Sequence, residues 1–213
     1  DSAVAGRFAA RRSAPNAAGE FFLRNLEAGR WRVSSQLPDE NWYVRIIESK
    51  APTTAIRKTA AQSALPVTNV VRNGFTLKPG EKLMGVTMAI ADGAATIRGK
   101  IVNEQGNKPA GQLRVHLIPA EKESAEDLLR YAQMDVANDG KFYFKNLAPG
   151  RYYLLAKPVK ATDGKEENHF SPARLIAWDH AQRAALRKEA EVTGKIVELQ
   201  PCQRLRDQEL KLK

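Results

Sequence analysis

Four residues of this chain carry the side chains that most often bind metals or act as nucleophiles in proteins: His116, His169, His180 and Cys202. They stand far apart in the sequence, and no two of them have the spacing of a zinc site. The sequence also lacks the G-x-S-x-G, H-E-x-x-H, P-loop and G-x-G-x-x-G motifs. We therefore expect no catalytic residue, no metal and no cofactor in this protein.

Each of these four residues has an ordinary structural interpretation. His116 stands between two aliphatic residues, so we expect it on the solvent face of a strand. His169 lies in the polar stretch "KEENHF", where a metal ligand is the alternative, and His180 is expected on the exposed first turn of a helix. Cys202 precedes the last strand and is expected to be half-buried, with an interchain disulfide as the alternative.

The aromatic residues offer a different kind of chemistry, namely recognition by stacking. In residues 140–155, "GKFYFKNLAPGRYYLL", alternation assigns four residues to the core face: Phe142, Phe144, Tyr152 and Leu154. The outward set is a candidate recognition surface: Tyr143, Tyr153, Lys145 and Arg151. An outward Tyr143–Tyr153 pair could stack on a sugar ring or on a partner surface. The simpler interpretation is a cross-strand pair that only stiffens the sheet.

Nearly the same stretch occurs earlier in the chain, 121 residues before. Residues 19–30 and 140–151 are identical at six of twelve positions without a gap: Gly19/Gly140, Phe21/Phe142, Asn25/Asn146, Leu26/Leu147, Gly29/Gly150 and Arg30/Arg151. Such self-similarity indicates a repeated folding unit. We predict that each repeat is a β-hairpin with an aromatic face, and that residues 97–120 form another hairpin.

The second repeat and the stretch before it resemble the carboxypeptidase regulatory-like domain. The residues that match its motif are Gly99, Ile101, Val102, Gly106, Pro109, Gly111, Val115, Leu117, Gly140, Phe142, Phe144, Asn146, Leu147, Pro149, Gly150, Tyr152 and Leu154. The resemblance implies a seven-stranded, transthyretin-like or prealbumin-like β-sandwich, close to the carbohydrate-binding-like folds. It also implies a non-catalytic module of the kind found in tandem in exported and surface proteins of bacteria. The fold does not fix the function.

The expected fold class is all-β, with two tandem Ig-like or transthyretin-like β-sandwich modules. The first covers residues 1–92 and the second residues 93–213, with a helix near residues 179–193 and Asp179 as its N-cap. Subtracting 121 from residues 97–120 gives positions before residue 1, so the first module lacks its opening strands. We expect a longer polypeptide or a partner chain to supply them, because half a sandwich exposes unpaired edges.

Further elements follow from local patterns. A strand is predicted at 41–49, with Trp42, Val44 and Ile46 on one face, and an irregular loop at 50–69. Two more strands flank the turn at 78–81, and a helical turn is expected at 123–132. After the helix, two strands close the chain, the last one being an exposed edge rich in Lys and Arg. Asp92-Gly93 leaves so short a linker that the two modules should pack against each other.

The formal net charge of +10 suggests an anionic partner. The basic residues are scattered, however, which argues against nucleic acid. No apolar run is long enough for a membrane helix, and no signal peptide is visible.

Two functions are therefore open. The first is a non-catalytic structural or protein-interaction module of a larger exported or cell-envelope protein or assembly, whose partners are other chains or upstream domains. The alternative is a carbohydrate-binding module that uses outward aromatics and a basic surface to bind polysaccharide. Both place the protein outside the cytoplasm, in the periplasm, at the cell surface or in the extracellular space.

Overall fold

The computed structural model describes residues 13–31, 33–49, 75–103, 105–107, 109–159 and 180–212. The strands are β1 Gly29–Trp31, β2 Trp42–Ser49, β3 Phe75–Leu77, β4 Val86–Asp92, β5 Ala95–Val102, β6 Leu113–Pro119, β7 Ala132–Asp135, β8 Lys141–Leu147, β9 Gly150–Pro158, β10 Lys195–Leu199 and β11 Arg204–Lys211. A short 3₁₀ helix spans Leu128–Arg130, and the helix α1 spans His180–Thr193. The described part of the chain is thus mostly β, as expected for an all-β protein.

Strands β5 to β11 form a sandwich of two sheets, which we call the C-terminal sandwich. One sheet has the order β7-β6-β9-β10, and the other has the order β8-β5-β11, with β11 parallel to β5. Alternating residues of both sheets meet in one buried core: Ala95, Ile97, Ile101, Leu113, Val115, Leu117, Phe142, Phe144, Leu147, Tyr152, Leu154, Val197, Leu199 and Leu210. The four residues of the second repeat predicted to face the core all do so.

The predicted hairpins are wrong. β8 pairs with β5, whereas β9 pairs with β6 and β10, so the two strands of the second repeat lie in opposite sheets. The same holds for β5 and β6, which the sequence suggested as a hairpin at 97–120. Each unit is an arch that crosses from one sheet to the other. Its apolar residues face each other across the core instead of standing side by side.

We call residues 13–92 the N-terminal region; its described residues form two strand pairs, β1 with β3 and β2 with β4. A bulge between Val44 and Ile46 reverses the expected faces of β2. Ile47 is therefore fully buried, whereas Ile46 is exposed, so the predicted face of Trp42, Val44 and Ile46 is wrong beyond the bulge. The hairpin predicted for the first repeat is wrong too, because its first half, residues 21–24, forms no strand and has no strand partner among the described residues.

Other local predictions can be compared directly. The strand at 41–49, the two strands around 78–81 and the two closing strands are present, and β11 lies at a sheet edge. α1 ends where Gly194 N–H donates to the carbonyl of Ala190. The helical turn expected at 123–132 is reduced to the 3₁₀ helix at 128–130. Asp179, His169 and the loop at 50–69 lie outside the described residues.

The two repeats share their backbone conformation even where their strand pairing differs. The φ angles are positive and nearly equal at three pairs of positions: Gly19/Gly140, Asn25/Asn146 and Gly29/Gly150. A side-chain hydrogen bond is also repeated. Tyr152 Oη donates to the carbonyl of Ala148 (2.7 Å), and Trp31 Nε1 donates to the carbonyl of Glu27 (2.9 Å), at the same offset of 121. Trp and Tyr therefore hold the same turn through different donors.

The turn of the second repeat depends on this Tyr152 hydroxyl. Tyr152→Phe should lower the free energy of unfolding by about 1–2 kcal/mol, because the buried carbonyl of Ala148 loses its donor. Urea denaturation measures this loss. Tyr153→Phe is the matched control, since no hydrogen bond joins its hydroxyl to another described residue. Equal losses in the two variants would contradict the prediction.

A second repeated stretch, which the sequence analysis did not identify, follows at an offset of 122. In the turn Leu77–Glu81, Glu81 N–H donates to the carbonyl of Lys78 (3.0 Å), and Lys78 N–H donates to Glu81 Oε2 (2.8 Å). The turn at residues 199–203 has the same two bonds, between Gln203 and Gln200 (3.1 and 2.7 Å). Positive φ angles recur after it at Gly80/Cys202 and Gly85/Asp207. β3 and β4 are thus the counterparts of β10 and β11.

Candidate interaction surfaces

The four residues predicted to form one recognition surface are divided between the two outer faces of the sandwich. Tyr143 and Lys145 lie on β8, in the three-stranded sheet, whereas Arg151 and Tyr153 lie on β9, in the four-stranded sheet. The expected Tyr143–Tyr153 pair is therefore wrong, because the two strands are not neighbours in a sheet. Tyr143 and Tyr153 therefore belong to two separate surfaces of the sandwich.

On the outer face of β8-β5-β11, Tyr143 stacks with an arginine. The guanidinium carbon of Arg98 lies 4.2 Å from the centre of the Tyr143 ring, a cation–π contact. Partial burial, followed by a hydrogen bond with Glu40, raises the pKa of Tyr143. The three strands of this sheet also carry these exposed basic residues: Lys100, Lys141, Lys145, Arg206 and Lys211. This face is open, basic and carries one aromatic ring.

Two of these lysines are paired with carboxylates. Lys100 Nζ lies 2.9 Å from Glu209 Oε1, and Lys141 Nζ lies 2.7 Å from Asp139 Oδ2. Both pairs are exposed, so they add little to stability. They also reduce the positive charge that the face can offer to a ligand.

On the other outer face, Tyr153 is covered by α1. It packs with Ile118, Tyr131, Leu155 and Ala190 in a small second core between the helix and the four-stranded sheet. Gly194 is required here, since a Cβ would lie 2.6 Å from the carbonyl oxygen of Ala190 and 3.2 Å from Cβ of Tyr153. Tyr153 is therefore a packing residue, not part of an exposed aromatic surface.

Two arginines attach α1 to the segment between β6 and the 3₁₀ helix. Arg187 donates to the carbonyls of Ala120 (2.8 Å) and Glu121 (3.0 Å). Arg183, whose side chain is 1% exposed, pairs with Glu126 at 2.8 Å. Charge-assisted hydrogen bonds of this kind are stronger than neutral ones. They fix the helix on the sheet, and no sequence motif had indicated them.

The histidines and the cysteine are not brought together. His180 is exposed on α1, as predicted, with Nε2 2.9 Å from Glu126 Oε1. Cys202 is exposed in a turn, so the prediction of a half-buried cysteine is wrong. His116 points outward as predicted, but it is half-buried rather than solvated, because it stands close to α1.

The described part of the chain contains no metal centre. No group of three or more His, Cys, Asp and Glu side chains there could hold a metal ion. One surface depression of about 280 Å³ is lined by Gly111, Gln112, Leu113, Val136, Ala137 and Asn138, none of which is titratable. No helix among the described residues is long and apolar enough to cross a membrane.

The N-terminal region and the C-terminal sandwich meet at a buried apolar contact, which we call the junction. Ile47 on β2 and Leu128 of the 3₁₀ helix are each 1% exposed and pack together. Val33, Val44, Val86, Met88 and Leu129 surround them. The 3₁₀ helix of the sandwich thus completes the core of the N-terminal region, in agreement with the packing expected from the short linker.

Polar contacts hold the junction at a second point. Asn146 Nδ2 donates to the carbonyls of Asp39 (2.6 Å) and Trp42 (2.7 Å). Arg204 contacts Asn41 Oδ1 at 3.2 Å and lies 3.8 Å from Glu40. Asn146 therefore serves twice: its backbone takes the left-handed conformation of the arch, and its side chain ties the arch to the N-terminal region.

These hydrogen bonds of the Asn146 side chain predict that the same substitution destabilises the second repeat more than the first. Asn146→Asp should lower the free energy of unfolding by about 1–3 kcal/mol, because an acceptor replaces the donor beside two carbonyls. Asn25→Asp is the matched control, since Asn25 has nearly the same φ angle and no side-chain bond to a described residue. Thermal denaturation of both variants checks this, and equal losses would contradict the role of the Asn146 amide.

Comparisons with known proteins add little. No protein-family model matches the chain, and no curated protein matches it. A solved structure named "The Bacillus anthracis TIE protein" is similar at 11% identity and a TM-score of 0.30, over 59% of this chain and 19% of that one. A similarity at this level supports no conclusion about fold family or function.

Proposed function

We propose that this chain is a non-catalytic structural and protein-interaction module of a larger exported or cell-envelope protein. In this proposal it consists of two carboxypeptidase regulatory-like, transthyretin-like β-sandwich modules, at residues 1–92 and 93–213. The repeated φ angles, the repeated turns and the motif residues of the second repeat support it. The proposed location outside the cytoplasm follows from the family resemblance.

The junction is the observation that carries the proposal. Ile47 and Leu128 are as buried as the core of the sandwich, and Asn146 joins the two parts through backbone carbonyls. Such a contact holds two modules at one angle rather than letting them move independently. A fixed angle is useful in a spacer that positions neighbouring domains.

Photo-crosslinking in the source cell tests this function. A photoreactive residue is placed at Met84, an exposed position of the N-terminal region, or at Lys145, on the open face of the sandwich. We expect a discrete crosslink to one protein or to another domain of the same polypeptide, mapped to one of the two positions. Absence of any protein crosslink at both positions would overturn the proposal.

The second candidate, a carbohydrate-binding module, is favoured by one observation. Tyr143 lies on an open, basic sheet face, where an acidic sugar could contact the ring and the neighbouring lysines. Because Arg98 already covers part of the ring, we place this candidate second. A glycan array with acidic and neutral polysaccharides tests it: binding that Tyr143→Ala abolishes supports it, and no binding overturns it.

A further inference from the structure

Residues 20–26 are the counterpart of β8, yet they form no strand in the described structure. The flanking backbone is the same in both repeats, with positive φ angles at Gly19/Gly140, Asn25/Asn146 and Gly29/Gly150. The two segments differ in whether a neighbouring strand pairs with them. β8 is antiparallel to β5, and no strand pairs with 20–26 among the described residues. The segment has the conformation at its ends that a strand needs, and no neighbouring strand pairs with it within the described residues.

The side chains of this segment are less completely buried than their counterparts in the second repeat. Phe142, Phe144 and Leu147 are 3%, 5% and 8% exposed in the core of the sandwich. Their counterparts Phe21, Leu23 and Leu26 are only partly buried, and Phe22 is 61% exposed. The described residues thus cover this apolar set less fully than the core of the sandwich covers its counterpart. The sandwich shows what covers it in the second repeat, namely β5.

The second neighbour of β5 in its sheet, β11, also has a counterpart in the N-terminal region. β5 is parallel to β11, whose counterpart β4 pairs with β2 alone within the described structure. At the start of β5, Cys202 N–H donates to the carbonyl of Gly93, and Thr96 N–H donates to the carbonyl of Gln203. The equivalent groups, Gly80 N–H and the carbonyl of Glu81, have no hydrogen bond to another described residue. The described residues of the N-terminal region thus include counterparts of both neighbours of β5, but no strand in the position of β5 itself.

We infer that residues 20–26 are an acceptor edge for an incoming β-strand of another stretch of polypeptide, one with the alternating aliphatic pattern of β5. The inference rests on the proposed interaction function and names the binding mode, which is strand addition. The incoming strand runs antiparallel to 20–26. In the register of β5 with β8, its residues equivalent to Ala95, Ile97 and Gly99 lie opposite Leu26, Leu23 and Phe21.

The structure also specifies one residue of the incoming strand. A Cβ at Gly99 would lie 2.6 Å from Cζ of Phe142 and 2.2 Å from the carbonyl oxygen of Gln208. Glycine is needed there because the carbonyl oxygen of Gln208 and the Phe142 ring together fill the space of a side chain. Since Phe21 is the counterpart of Phe142, the incoming strand requires glycine opposite Phe21.

The chain's own β5 sequence provides the probe. A synthetic peptide of residues 94–103, AATIRGKIVN, is added to the full 213-residue chain, and amide hydrogen exchange is followed by NMR. We expect protection at residues 20–26 to rise at least about tenfold, equivalent to about 1.4 kcal/mol. The matched control peptide carries Gly99→Val and should give no protection. Equal protection by both peptides, or none by either at millimolar concentration, overturns the inference.

A register-specific disulfide gives an independent readout. The peptide with Ile97→Cys should crosslink to a chain carrying Leu23→Cys and Cys202→Ser, because these positions are cross-strand neighbours. Phe22→Cys, one residue away and on the opposite face, is the control and should react much more slowly. Equal rates would overturn the proposed register. Protection of 20–26 in the free chain would show that the chain fills this edge itself and would overturn the inference too.

The outcomes separate this inference from the proposed function. Protein crosslinks at Met84 or Lys145 without peptide binding would leave the interaction function standing and remove strand addition as its mode. Peptide binding without any crosslink in the cell would establish the acceptor edge and remove the proposed function.

Discussion

Leu128→Ala should lower the free energy of unfolding by about 2–5 kcal/mol, the usual range for a fully buried leucine. Leu128 is 1% exposed, and it packs against Ile47 across the junction. Truncation leaves a cavity between the N-terminal region and the C-terminal sandwich, so both parts of the molecule lose stability. We expect amides of β2 to exchange faster as well, because β2 holds the other side of the contact. Urea denaturation and hydrogen exchange measure the two effects.

Leu129→Ala is the matched control for this variant. Leu129 is adjacent and only partly buried beside the same contact, so its truncation should cost clearly less. If both variants lose the same stability, or if exchange in β2 is unchanged by Leu128→Ala, the junction does not couple the two parts. The fixed angle on which the proposed function depends would then have no support.

Lowering the pH from 6.5 to 4 should destabilise the protein by about 3 kcal/mol through His116 alone. The pKa of His116 is lowered from 6.5 to about 4, chiefly by burial and then by the nearby charges of Arg114 and Lys157, against the opposite effect of Glu189 and Asp135. The folded state therefore keeps this imidazole neutral down to about pH 4. The unfolded chain takes up a proton already near pH 6.5.

The direction of the pH effect follows from this difference. Between pH 6.5 and 4 the unfolded state binds more protons at His116 than the folded state, so stability rises with pH across that window. Above it, both states are neutral at this residue and its contribution is constant. His116→Gln removes the titration, and the difference in unfolding free energy between pH 6.5 and 4 should shrink by about 3 kcal/mol.

His180→Gln serves as the comparison, because His180 is exposed on α1. Urea denaturation at several pH values between 4 and 7 gives the slopes for both variants and for the parent chain. A slope that is the same in His116→Gln as in the parent would show that His116 is solvated in the folded state. Such a result would contradict the burial of His116 between β6 and α1.

Which side of β8 and β9 faces the core could be read from the sequence, because alternation reports burial in strands without a bulge. Phe142, Phe144, Tyr152 and Leu154 were assigned to the core, and all four are buried there. The repeat was visible too, since Gly and Asn recur where the backbone needs positive φ angles. These are local properties, set by sterics and by which side chains avoid water, and a single chain segment carries them.

Strand partners could not be read in this way. An alternating segment shows that one side is buried, but it does not tell whether the next strand lies beside it or across the core. The hairpin prediction failed for that reason at β8 and β9, and with it the outward Tyr143–Tyr153 pair. The burial of Tyr153 under α1 and the bulge that turns Ile47 inward also depend on distant elements.

The sequence alone determined the β-rich character, the repeated arch with its glycines and asparagines, and the core residues of that arch. The tertiary structure decided which sheet each strand joins, which tyrosine stays exposed, and how the 3₁₀ helix closes the junction on Ile47. The physical reason is that strand pairing and helix packing are contacts between residues far apart in the chain. Many sequences with the same alternation satisfy such contacts in different arrangements, so only the folded structure shows which one this chain uses.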